Sequence, residues 1–120
     1  MSEPYSVVVT ASDKYLPALR PFSYLFNKYW GNDVLVRVFG FARPYFDLPP
    51  NFSFTSLGNQ SDYPFNKWSD ALIKILSIID EEAFVLMLED YWLTRHVDRT
   101  AIRILYDYAI QFQYVLKVDL

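Results

Sequence analysis

The sequence predicts an α/β domain, a three-layer α/β/α arrangement around a mostly parallel sheet of about five strands, and three observations lead there. Short aliphatic runs alternate with longer amphipathic ones, the pattern of strands joined by crossover helices. The strand-like runs are nearly continuous in apolar residues rather than alternating, as in a parallel sheet covered on both faces. A content of 52% hydrophobic and 19% aromatic residues against 21% charged excludes a disordered chain and demands a packed core.

Each element follows from local pattern. "YSVVVTA" (5–11) is short and β-branched, the first strand. In "SDKYLPALRPFSYLFNKYWG" (12–31), Leu16, Leu19, Phe22, Phe26 and Tyr29 recur at spacings of three and four, a helix that Gly31 ends. Pro21 either lies in the first turn, where a missing N–H costs nothing, or splits the segment. "VLVRVFG" (34–40) and "NFSFTSLG" (51–58) are the second and third strands, separated by the proline-rich loop "FARPYFDLPPN" (41–51).

"FNKWSDALIKILSIID" (65–80) is the clearest helix, with Phe65, Trp68, Leu72, Ile75, Leu76 and Ile79 on one face and Lys67, Asp70, Lys74 and Ser77 opposite. This assigns Trp68 to the core. "AFVLML" (83–88) is the fourth strand. In "HVDRTAIRILYDYAIQFQ" (96–113), Asp98 is the N-cap, Val97 and Ile102 are the hydrophobic staple, and Ile102, Leu105, Tyr106 and Ala109 form the buried stripe. "YVLKVDL" (114–120) is the fifth strand. With no repeat, low-complexity tract or linker, residues 1–120 read as a single Rossmann-like domain.

Composition also removes functions. A net charge of -3 and a pI near 5.0 lack the basic footprint of a nucleic-acid binder. Without cysteine there is no disulfide, thiolate nucleophile or cysteine zinc site. His96 stands alone, which rules out a histidine-based metal site. No basic leader and no membrane-spanning apolar run occur, so the chain reads as soluble and cytoplasmic. Neither G-x-G-x-x-G nor G-x-x-x-x-G-K-[ST] is present, which disfavours dinucleotide and P-loop binding. A phospho-acceptor receiver would need an acidic pair after the first strand and an aspartate ending the third; Asp13 stands alone and the third strand ends "FTSLG".

In open parallel sheets, ligands sit beyond the carboxyl ends of the strands where strand order reverses. If the first and fourth strands are neighbours, Ser12 and Asp13 meet Glu89 and Asp90 at one edge, which Gly40 and "GNQSD" (58–62) would also line. Adjacent carboxylates there suit a hard divalent cation, Mn2+ or Mg2+, held together with substrate phosphates. A solvated turn accounts for the same pair without chemistry. Tyr91 and Trp92 offer faces for stacking on a sugar or base, or else pack into the core. Lys67 reaches a phosphate or stays in solvent, and turn chemistry accounts for Asp47.

"VVVTASDKYLPALRPFSYLFNKYW", "VRVFGF", "KWSDALIKIL" and "FVLMLEDYWLTRHVD", in that order, resemble the donor-binding half of a GT-A type, nucleotide-diphospho-sugar transferase-like glycosyltransferase. The resemblance implies a nucleotide loop at Thr10, Ser12 and Asp13, and the expected nucleotide site adds Gly40 from its place at the same edge and Lys67 from its reach to a phosphate. The resemblance also implies a metal and diphosphate site at Glu89 and Asp90, in place of the family's DxD. Trp92 stands where a second aspartate of that motif would be. A full GT-A domain is longer, so the chain is expected to be a truncated or minimal relative lacking the acceptor half, and no catalytic base is assigned. The expected function is binding of a nucleotide-diphospho-sugar donor through a divalent metal. The alternative is a non-catalytic interaction module that keeps the fold and pairs into a homodimer through an exposed strand edge.

Overall fold

The computed structural model describes residues 3–112. Four strands and three α-helices follow one another: β1 (Val7–Thr10), α1 (Leu19–Tyr29), β2 (Val36–Gly40), β3 (Phe52–Ser56), α2 (Trp68–Ile78), β4 (Val85–Leu88) and α3 (Arg99–Gln111). Single 3-10 turns at Leu16–Ala18, Gln60–Asp62 and Phe65–Lys67 lead into the first two helices. The strands form one sheet in the order β3-β2-β1-β4, and every pair is parallel. The sheet therefore has four strands among the described residues, not five; the fifth expected strand, residues 114–120, lies outside them.

Pro21 falls in the first turn of α1, so its missing N–H breaks no helical bond. The helix buries Leu19, Phe22, Ser23 and Phe26, and Leu16 is buried just ahead of it. Phe26 stacks on Trp30 with ring centroids 5.0 Å apart and meets Phe52 edge-on at 5.7 Å. No helix links β2 to β3. Their parallel connection is the proline-rich loop, whose Phe46 and Leu48 pack against the same aromatic cluster and so do part of a crossover helix's work.

Val7, Val8 and Val9 are all 0% exposed, and the period of two sends them to different clusters. Val7 and Val9 join Leu19, Phe22, Phe26 and Trp30 together with Ile102 of α3. Val8 joins Phe39 and Ile75 of α2, with Ile78 and Ile79 packed alongside.

The buried face of α2 differs from the expected one. Only Ala71 and Ile75 are buried, whereas Phe65, Trp68 and Leu76 are 98%, 49% and 48% exposed. Trp68 is not core. The α-helix starts at Trp68, and the tighter 3-10 turn before it takes Phe65 out of phase with the stripe. The inward row then runs at spacings of four through Ala71, Ile75 and Ile79, which leaves Leu76 about 100° away. The start of α3 matches its local signals: Asp98 accepts a hydrogen bond from Ala101 N at 3.0 Å, and Val97 and Ile102 share one cluster.

A polar seam closes the end of the sheet where the strands begin. Arg99 donates to both carboxylate oxygens of Asp33 at 2.9 Å and to Glu3 at 3.2 Å; Arg103 donates to Glu3 at 2.7 Å. Arg37 of β2 and Ser6 both donate to Glu81. Among the described residues, no helix is long and apolar enough to cross a membrane.

Candidate functional site

The chain lays β2 and β3 to one side of β1 and then returns to place β4 on the other. Strand order thus reverses between β1 and β4, the position at which an open parallel sheet leaves a crevice. Thr10 and Leu88 are register partners, so the residues that follow them leave the sheet side by side. Ser12 N–H and Oγ–H both donate to Glu89 Oε1, each at 3.3 Å. The condition attached to the sequence reading, that these two strands be neighbours, is met.

A cavity of about 520 Å³ opens at this edge. Thr10, Ser12, Glu89 and Asp90 form its polar side; Phe39, Phe41, Tyr63, Phe65 and Trp68, with Leu57, Leu72 and Ile75, form the apolar one. The 3-10 turns between β3 and α2 bring Gln60, Tyr63 and Phe65 to it. Phe41 and Tyr63 lie against each other with centroids 5.7 Å apart. Among the described residues that line the cavity there is no lysine, arginine or histidine, so its only formal charges are the two carboxylates.

The expected site residues take different parts. Thr10, Ser12, Glu89 and Asp90 line the cavity. Asp13 does not: its Oδ1 accepts from Ala42 N at 2.9 Å and its own N–H donates to Gln60 Oε1 at 2.8 Å, so it laces three loops together behind the wall. Gly40 is also off the cavity. A Cβ there would lie 2.9 Å from Ala11 O and 3.0 Å from Phe54 Cε2, so glycine is needed for close packing of the strand ends. Lys67 is exposed in the turn before α2 and lies outside the cavity lining.

Tyr91 and Trp92 are exposed and lie outside the cavity lining; Trp92 Nε1 donates to Glu89 O at 3.2 Å, closing the turn after β4. The aromatic side chains at the cavity are instead Tyr15, Phe39, Phe41, Tyr63, Phe65 and Trp68. For Tyr63, Phe65 and Trp68 the signal in the sequence was the density of aromatics in "DYPFNKW" (62–68), which reads equally well as a helix stripe. His96 packs edge-on against Tyr29 at 5.4 Å.

Glu89 is only 6% exposed. Burial raises its pKa above the ordinary carboxylate value, and the neighbouring charge of Asp90 adds to the rise; the bonds from Ser12 oppose it without cancelling it. Asp90 is exposed at the rim. Among the described residues, no group of three or more His, Cys, Asp or Glu side chains is placed to hold a metal ion. One open carboxylate at a cavity rim, completed by ligand phosphate oxygens, is nonetheless a donor set that Mg2+ accepts. The chain matches no protein-family model, no curated protein and no solved structure.

Proposed function

We propose that the cavity binds a nucleotide-diphospho-sugar and that the chain is a GT-A glycosyltransferase-like donor-binding domain, its helices layered on both faces of the sheet. The observation that carries this reading is the link from Ser12 to Glu89 across the β1–β4 reversal, which places the first loop and the acidic turn around one cavity. Thr10 and Ser12 contact the nucleotide. Glu89 holds the Ser12 loop in place, and Asp90 is the carboxylate free to meet a metal ion.

Charge gives the reading its requirement. A diphosphate entering a cavity lined by Glu89 and Asp90, and by no basic side chain, meets repulsion. Mn2+ or Mg2+ bound between Asp90 and the phosphates would neutralise that charge and stabilise the diphosphate as a leaving group. Calorimetric titration of uridine and guanosine diphosphates should therefore give heat with Mn2+ and none with chelator, and Asp90→Ala should abolish it. Binding that persists unchanged in chelator would remove the metal from the account.

A second reading, a binding module without transfer activity, is favoured by apolar exposure: Phe65 is 98%, Ile73 63% and Leu76 48% exposed, which suits contact with a partner. It is the reading left if no nucleotide gives heat under either condition.

A further inference from the structure

Gln60 lines the cavity and is held at one end only. Asp13 N–H donates to its Oε1 at 2.8 Å. A backbone N–H can only donate, so the oxygen end of the carboxamide is fixed by chemistry and the NH2 end is left over. Among the described residues, nothing accepts from Gln60 Nε2. The same cavity carries Phe41, Tyr63, Phe65 and Trp68, of which Phe65 and Trp68 are 98% and 49% exposed. Exposed aromatic surface around a concavity suits a flat, uncharged ring, which would stack there and cover it.

We infer that Gln60 is a specificity-determining residue: with its oxygen held by Asp13 N–H, the amide presents its NH2 as the group without a partner, so the aromatic cavity favours bases that place a carbonyl oxygen at that edge. Uracil and guanine present one; cytosine and adenine present an amino group at the equivalent position. An amino group facing Gln60 Nε2 sets donor against donor and forgoes the hydrogen bond that a carbonyl oxygen would make there. The inference rests on the donor-binding reading above and adds to it the class of base and the residue that chooses it.

The test is a set of calorimetric affinities for the uridine, guanosine, cytidine and adenosine diphosphates, with Mn2+, on the full chain. Wild type should bind the uridine and guanosine forms roughly tenfold or more tightly than the cytidine and adenosine forms. Gln60→Glu keeps an acceptor for Asp13 N–H and replaces the free donor with an acceptor. Its added charge weakens all four ligands alike, so the readout is the ratio, which should fall about tenfold or reverse. Gln60→Leu, which removes the donor without adding charge, should bring the ratio toward one. Equal affinities in wild type, or a ratio unchanged in both variants, would overturn the role of Gln60 while leaving the donor site standing. Absence of binding by all four in wild type would overturn the donor-binding reading itself, and this inference with it.

Discussion

At the scale of single residues, Glu89 and Gly40 show what an amino-acid type means once its neighbours are known. Glu89 has a folded-state pKa above its ordinary value of 4.5, because burial disfavours the charged form. In the pH window from 4.5 up to that raised value the folded protein holds more protons than the unfolded chain, so stability falls as pH rises through the window. Glu89→Gln keeps the shape and an acceptor for Ser12 but cannot ionise. Urea midpoints measured across the window should fall less steeply with pH in the variant than in wild type; parallel profiles would refute the assignment. Gly40 read from sequence as a ligand-side glycine, because it follows the second strand. Its actual constraint comes from Ala11 O and Phe54, which belong to other parts of the chain, and no local pattern could disclose it. Gly40→Ala should destabilise the protein by about 1–3 kcal/mol, since backbone has to move to admit the Cβ, and a thermal melt reads the loss directly.

At the scale of elements, legibility followed the range of the interactions. The start of α3 is set by a side chain reaching three residues along its own helix, from Asp98 to Ala101 N, and the sequence displayed it. The phase of α2 depends on how the chain enters it, and the 3-10 turn at Phe65–Lys67 shifted Phe65 off the buried face in a way that a 3.6-residue count over 65–80 does not register. That same shift freed Phe65 to line the cavity, whereas Trp68, in phase with Ile75 but one end of the helix away, lines it from the first turn of α2. The carboxyl edge was legible because parallel strands put every strand-to-helix turn on one side, which gathers Ser12, Glu89 and Asp90 once β1 and β4 are paired. The first turn of α3 also offers a test by comparison. Asp98→Ala should cost about 1 kcal/mol, the usual worth of an N-cap. Arg99→Ala should cost more in the same chemical melt, because Arg99 joins α3 to Asp33, to Trp30 O and to Glu3, and Glu3 keeps only 5% of its side chain in solvent. Equal costs would mean that the seam adds nothing beyond the cap.

At the scale of the whole molecule, the two edges of the sheet respond to pH in opposite senses. Where the strands begin, carboxylates are held in their charged form. Burial alone would raise Glu3, but the hydrogen bonds from Arg99, Arg103 and Tyr5 outweigh it and its pKa is lowered. Glu81 is lowered in the same manner, burial being outweighed by backbone bonding, Ser6 and Arg37, and Asp33 is lowered chiefly by Arg99. Groups with depressed values give stability that is complete above their ordinary values, 4.5 for the glutamates and 3.8 for Asp33, and that is lost as pH falls through the folded values. Where the strands end, acid relieves the buried charge of Glu89 instead. Tyr5 sets the alkaline limit: burial, then the charge of Glu3, push its phenol up to about 12, and the stability of the neutral ring is lost between pH 10 and that value. Acid should therefore unfold the molecule from the seam formed by Glu3, Asp33 and Glu81 while the cavity edge is still favoured. Glu3→Gln tests this, because it removes the most enclosed of the three charges. The variant should be less stable than wild type near neutral pH, and the gap between them should close as pH is lowered below 4.5, where wild-type Glu3 also takes up its proton. A gap that stays constant down to the acid transition would mean that Glu3 contributes packing alone, and that acid unfolding begins elsewhere.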